Sequence, residues 1–204
     1  LSLSNAIADQ LDLPPMVNRN TAQRGTPFTI SIEAAEGIDT GISAADRAKT
    51  VLTAIKPVAV PSDLSRPGHI FPLRAHDGGV LKRAGHTESG VDLCRLSGMR
   101  EGAVISELMH EDGTMMRLPA LTTFAKEHDL LIISIADLIA YRQQHESFVR
   151  CEAETELETE TGTWNIKIYK DTLNDLEHVA LIKGTITPVT PLLVRAHSEC
   201  LTGD

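Results

Sequence analysis

Two kinds of hydrophobic pattern run along the chain, and one gives way to the other near residue 146. Residues 28–33 (FTISIE) alternate apolar and polar side chains, the period-two signature of a half-buried strand. Ser43 then stands as a cap before Ala44, Ala45, Ala48, Val51, Leu52 and Ile55, which fall on one helical face with Asp46 in the first turn. Pro57 and Pro61 end that helix. Between Pro61 and Gly85 the periodicity fades among Pro67, Gly68, Pro72, Gly78 and Gly79, which predicts a long loop of the functional kind. Further on, the pattern predicts a helix over 87–96 stopped by Gly98, a buried strand over 103–108 and a turn at Asp112 and Gly113. Pro119 opens a helix carrying Leu121, Phe124 and Ala125, and residues 130–133 read as a short apolar strand. Ser134 caps a last helix through Leu138 and Ile139 to about residue 146. This succession predicts an α+β fold, a mixed sheet flanked by helices, over residues 1–146.

Beyond it the helical period disappears. Residues 150–160 alternate charged side chains with Cys151, Ala153 and Leu157, and 164–169, 179–182 and 192–194 are further strand candidates. Glu152, Glu154, Glu156, Glu158 and Glu160 share one parity, so a regular strand puts all five carboxylates on one face, read here as a solvated face. Residues 147–204 thus read as the β-rich start of a second α+β domain. The opening at Leu1 reads as the tail of a helix and the end at Asp204 completes no element, so a fragment cut at both ends is expected.

Composition narrows the functional classes. The 204 residues are 42% apolar and 23% charged with a net charge of -9, which disfavours nucleic acid as a partner. No apolar run reaches the roughly 18 residues of a membrane span, and no signal-peptide pattern is recognisable. The three cysteines, Cys94, Cys151 and Cys200, are odd in number and far apart, which points to a reducing cytoplasm.

Candidate chemistry gathers around two Gly-His pairs. Gly85-His86 precedes a predicted helix, so His86 stands near free N–H groups suited to a phosphate or enolate oxygen, with Arg83 and Thr87 as added donors. His69, in RPGHIFP, is a candidate acid or base. Glu107 lies in the predicted strand 103–108, where it either faces solvent or is partly buried as a general base requires. Asp46 and Arg47 read first as cap and helix-face residues; Cys94 reads as core and Cys151 as inert.

In order along the chain stand LDLPPMV (11–17), FTISIEA (28–34), TGISAADR (40–47), DLSRPGHIFP (63–72), GVL (79–81), RAGHTE (83–88) and SELMHEDGT (106–114). Together these resemble 3,4-dihydroxy-2-butanone 4-phosphate synthase of riboflavin biosynthesis. The resemblance implies a three-layer synthase domain and a homodimer. It implies conversion of D-ribulose 5-phosphate to 3,4-dihydroxy-2-butanone 4-phosphate and formate with Mg2+ or Mn2+. On this resemblance His86 is a metal ligand, and Arg83, Ala84, Gly85, His86, Thr87 and Glu107 line the substrate. His69 and Glu107 are the catalytic pair, while Asp46 and Arg47 lie near the site without an assigned role. The acidic loop that supplies the metal's carboxylate would precede Leu1. EHVALIKG (177–184) and LVRAHSECLTGD (193–204) resemble the opening of GTP cyclohydrolase II, which opens the GTP ring and releases formate and pyrophosphate. That resemblance implies GTP binding by Arg195, Ala196, His197, Ser198 and Glu199, with Cys200 the first of three zinc cysteines. Residues 1–204 alone are then expected to be inactive in both reactions. Two other readings stay open: a synthase with a degenerate, structural C-terminal extension, and a non-catalytic sugar-phosphate or metal-binding module.

Overall fold

The computed structural model describes residues 1–188 and 191–197. The chain divides into two units, Leu1–Glu146 and Ser147–Asp204. In the first, β1 (Ser2–Leu3) runs parallel to β4 (Leu73–Arg74) and antiparallel to β5 (Gly102–Ala103), giving a mixed sheet of order β4-β1-β5. A separate antiparallel pair joins β2 (Ile32–Ala34) to β3 (Leu64–Ile70), with a register shift between Ile32 and Glu33. Helices α1 (Asn5–Gln10) and α2 (Ala44–Ala54) are joined later by α3 (His86–Leu96), α4 (Leu118–Glu127) and α5 (Ile135–His145). The core holds Leu3, Ile7, Leu11, Leu13, Ile32, Ala54 and Leu64, so β1, α1, α2 and the β2–β3 pair bury one another's apolar faces.

The helix boundaries follow local chemistry. Ser43 Oγ accepts the Asp46 N–H at 3.0 Å and Ser134 Oγ accepts the Asp137 N–H at 3.1 Å, each filling an orphan donor of a first turn. Gly98, at φ +68°, supplies the left-handed residue just past α3.

Several strand expectations need correction. The opening is not a helix tail: Ser2 and Leu3 are a strand, completely buried between two neighbours. The predicted loop after Pro61 contains β3, whose Pro67 and Gly68 hide a strand from periodicity. In a two-stranded sheet every strand is an edge, so Pro67 can lack a ladder N–H. Gly68 is there because the Ile32 backbone lies where its Cβ would be, and its N–H reaches Ser31 Oγ at 3.2 Å. Conversely, the predicted strand 103–108 is cut to β5, and 130–133 and 192–194 join no sheet. Apolarity alone makes no strand; a strand needs a ladder, and among the described residues only single backbone bonds reach these stretches, from the Met116 N–H to the Leu108 carbonyl at 3.0 Å and from the Leu130 N–H to the Ala125 carbonyl at 2.8 Å.

The second unit is an antiparallel meander of β6 (Val149–Thr159), β7 (Gly162–Asp171) and β8 (Leu176–Ile182). A bulge between Cys151 and Ala153 takes Glu152 out of the regular alternation, and Glu160 lies past the strand end, so the five glutamates form no single face. Two of those that stay in register meet polar partners on β7: Glu154 takes the Asn165 amide at 2.5 Å and Lys167 Nζ at 3.0 Å, and Glu158 takes the Thr163 hydroxyl at 2.8 Å. On the other face stand Leu157, Trp164, Ile166, Ile168, Val179 and Leu181.

Candidate functional site

The turn ahead of α3 is built on two left-handed glycines, Gly78 (φ +89°) and Gly79 (φ +63°). The space a Gly79 side chain would need is filled by the Asp92 carboxylate. That carboxylate accepts the Val80 N–H at 2.9 Å and Arg142 Nη1 at 2.8 Å. The same Arg142 nitrogen donates to the Gly78 carbonyl at 2.8 Å, while its Nε reaches Glu146 at 2.7 Å, so α5 ties the turn to α3. Burial opposes charge on Arg142, but Glu146 and Asp92 outweigh it and hold the guanidinium above its ordinary pKa. The hydrogen bond from Arg142, aided by Arg95, holds the Glu146 carboxyl below its ordinary value.

Within RAGHTE the residues divide into clamp and display. Glu88 is fully buried and accepts Arg83 Nη1 at 2.7 Å and the His76 N–H at 3.0 Å. A Cβ on Gly85 would overlap both Arg83 and Glu88, which explains the glycine. Arg83 is therefore held by its own motif, Thr87 is buried, and Ala84 and His86 stay exposed. His86 is the first residue of α3, and no side chain caps that helix at Gly85, so first-turn N–H groups are left for an anion.

His69 sits on β3 with its side chain 45% exposed, and its Nδ1 meets the Glu33 carboxylate, itself only 16% exposed. The His69 carbonyl accepts Arg47 Nη1 at 3.2 Å. Asp46 accepts the N–H groups of Gly41 (3.1 Å) and Asp39 (3.4 Å), so it fixes the loop ahead of α2 as well as lying in that helix's first turn. Glu33 is the residue that sequence reasoning missed. Alternation marked it only as the polar end of a strand, and the pairing of β2 with β3 was hidden. Glu107 is exposed outside any strand, the solvent-facing alternative, and no hydrogen bond joins it to His69 or His86. A groove of about 470 Å³ beside β3, lined by Met16, Ile30, Ser31, Arg66 and Pro67, contains none of these candidates.

Among the described residues no three His, Cys, Asp or Glu side chains gather as a metal site. They supply His86 as a single imidazole and do not by themselves fit a Mg2+ or Zn2+ centre. In the tail, Arg195 Nη2 lies 3.4 Å from His197 Nδ1, with Ala196 exposed between them. Ser198, Glu199 and Cys200 lie outside the described residues.

The motif that frames α3 belongs to a stretch, residues 1–141, that matches the family model of 3,4-dihydroxy-2-butanone 4-phosphate synthase. The chain belongs to that family. Residues 150–204 match the model of GTP cyclohydrolase II. Riboflavin biosynthesis protein RibBA of Synechocystis is 52% identical over all of this chain and 37% of that protein. The 3,4-dihydroxy-2-butanone 4-phosphate synthase of Neisseria meningitidis is 51% identical over 97% of this chain and 54% of its own length. The chain thus spans between about a third and about half of the curated relatives it matches. Among solved structures, RibBX, a two-domain synthase of A. baumannii, superposes with a TM-score of 0.77 at 46% identity, covering 90% of this chain and 54% of that one. A synthase in complex with two magnesium ions gives 0.64 at 39% identity, covering 71% of this chain and 72% of that one. Those structures share the synthase family's mixed α+β fold.

Proposed function

We propose that residues 1–146 form most of a 3,4-dihydroxy-2-butanone 4-phosphate synthase domain acting on D-ribulose 5-phosphate in riboflavin biosynthesis, and that residues 147–204 open a GTP cyclohydrolase II domain. The match of residues 1–141 to the family carries this reading. The geometry around α3 supports it with a specific role for each group. First-turn N–H groups of α3 receive the sugar phosphate, and Arg83, steered by buried Glu88, adds charge beside them. His69, half-exposed on β3, moves a proton at the carbon beside the substrate carbonyl. Glu107 serves as the second proton carrier from its own segment.

His86 is the candidate ligand for Mg2+ or Mn2+, which supplies charge stabilisation to substrate oxygens when bound. The described residues do not by themselves complete that site. Further ligands are substrate oxygens and water. The protein works as a cytoplasmic homodimer, a compartment that suits the unpaired Cys94 and Cys151. In the tail, Arg195, Ala196, His197, Ser198 and Glu199 are proposed for GTP and Cys200 for Zn2+.

The test uses the complete protein that contains this chain. His86→Ala is expected to abolish Mg2+-dependent formate release from ribulose 5-phosphate, and turnover at the wild-type level removes the metal-ligand role. A second reading, a synthase with a structural C-terminal extension, is favoured by the Neisseria relative, which is named for the synthase alone over 97% of this chain. Release of pyrophosphate from GTP by the complete protein decides against that reading, and its absence decides for it.

A further inference from the structure

The contact between Glu33 and His69 gives the TGISAADR motif a purpose that neither cap nor helix face accounts for. A carboxylate is acceptor-only, so the His69 nitrogen facing it, Nδ1, carries a proton. In neutral imidazole that leaves the lone pair on Nε2. Glu33 is mostly buried and enclosed: a Cβ on Gly41 would overlap its carboxylate, and Gly41 adopts a left-handed φ of +78°. The enclosing loop is itself held by Asp46 on the Gly41 and Asp39 N–H groups. Arg47 fixes the His69 backbone through its carbonyl, at 3.2 Å. Gly41, Asp46 and Arg47 therefore converge on one pair, Glu33–His69. This is more apparatus than an isolated ion pair between two adjacent strands requires.

We propose that Glu33 is the positioning residue that sets His69 as an Nδ1–H tautomer and makes Nε2 of His69 the base that starts the reaction. The proposal rests on the synthase reading above. In the step, the proton on the carbon beside the carbonyl passes to Nε2, and the C–H electron pair moves into the carbonyl system to give an enediolate. His69 becomes an imidazolium whose Nδ1–H stays on the Glu33 carboxylate, which stabilises that charge. Glu107 is then left for a later proton transfer.

Two measurements test this. Long-range 1H–15N correlation of His69 in the 204-residue chain at about pH 8.5, roughly two units above the reference imidazole value, is expected to show the Nδ1–H form. Glu33→Ala is expected to shift it toward the Nε2–H form that predominates in a free imidazole. In the complete protein, Glu33→Ala is expected to lower kcat for formate release by about 10²-fold with KM for ribulose 5-phosphate unchanged. Glu33→Gln, which keeps an acceptor oxygen but not the charge, is expected to fall between the two. An Nε2–H form of His69 in the wild type overturns the proposal, as does a wild-type kcat in Glu33→Ala. The wild-type spectrum decides even where a variant does not fold. Failure of the synthase reading looks different: the wild-type complete protein then releases no formate, whatever the tautomer.

Discussion

Around α3 three charged side chains are withdrawn from water, Glu88, Asp92 and Arg142, while Leu131 on the segment before α5 is 99% exposed. The contrast extends to other apolar residues: Val104, Ile105, Leu108, Leu130, Ile132 and Ile133 are all exposed as well. Burial here is decided by what each group can pair with rather than by side-chain class. Asp92 has a backbone N–H and a guanidinium, Glu88 has a guanidinium and a backbone N–H, and Arg142 has two carboxylates and a carbonyl. Each charge is thereby satisfied and can be enclosed. Among the described residues those apolar stretches join no sheet, so no neighbouring strand covers their side chains.

Breaking the buried set should have the largest effect. Arg142→Met leaves Asp92 enclosed without its counter-charge and is expected to cost about 3–5 kcal/mol in urea unfolding. Adding Asp92→Asn to that variant should recover part of the loss, because the stranded charge is gone; a double mutant as unstable as the sum would contradict the pairing. A middle-sized effect comes from acid. Glu146 is held below its ordinary carboxyl value of 4.5 in the folded state. Its contribution is therefore fully present above that value and is lost as pH falls through the lower, folded value. Acid titration of stability below about pH 5 should accordingly be less steep in Glu146→Gln than in the wild type. The smallest effect belongs to the exposed side of the comparison: Leu131→Glu should change stability by no more than about 0.5 kcal/mol while reducing binding of an apolar dye. A loss of several kcal/mol there would mean that Leu131 is packed after all.

The helices α2 and α5 were legible because their starts are local: Ser43 and Ser134 each act on an N–H three residues away. β3 was not, because Pro67 and Gly68 interrupt the alternation that would reveal it; Pro67 is tolerated because the strand is an edge, and the reason for Gly68 lies on Ile32 and Ser31, more than thirty residues away. The candidate site shows the same division. His69, His86 and Arg83 stood out by their glycine-bearing motifs. Glu33 did not, since it gains meaning only when β2 lies against β3. Glu88 was visible as the last residue of RAGHTE, but nothing local marked it as the buried anchor of Arg83.

By itself the sequence determined the capped helices, the change of character near residue 146 and the family to which residues 1–141 belong. These rest on interactions of a few residues' range or on ordered motifs, so no three-dimensional information is needed to read them. Tertiary structure alone decided which apolar stretches became strands, which charges were enclosed, and that a carboxylate on β2 stands against the imidazole on β3. Each of those depends on a partner distant in sequence, and only folding brings such partners within hydrogen-bonding reach.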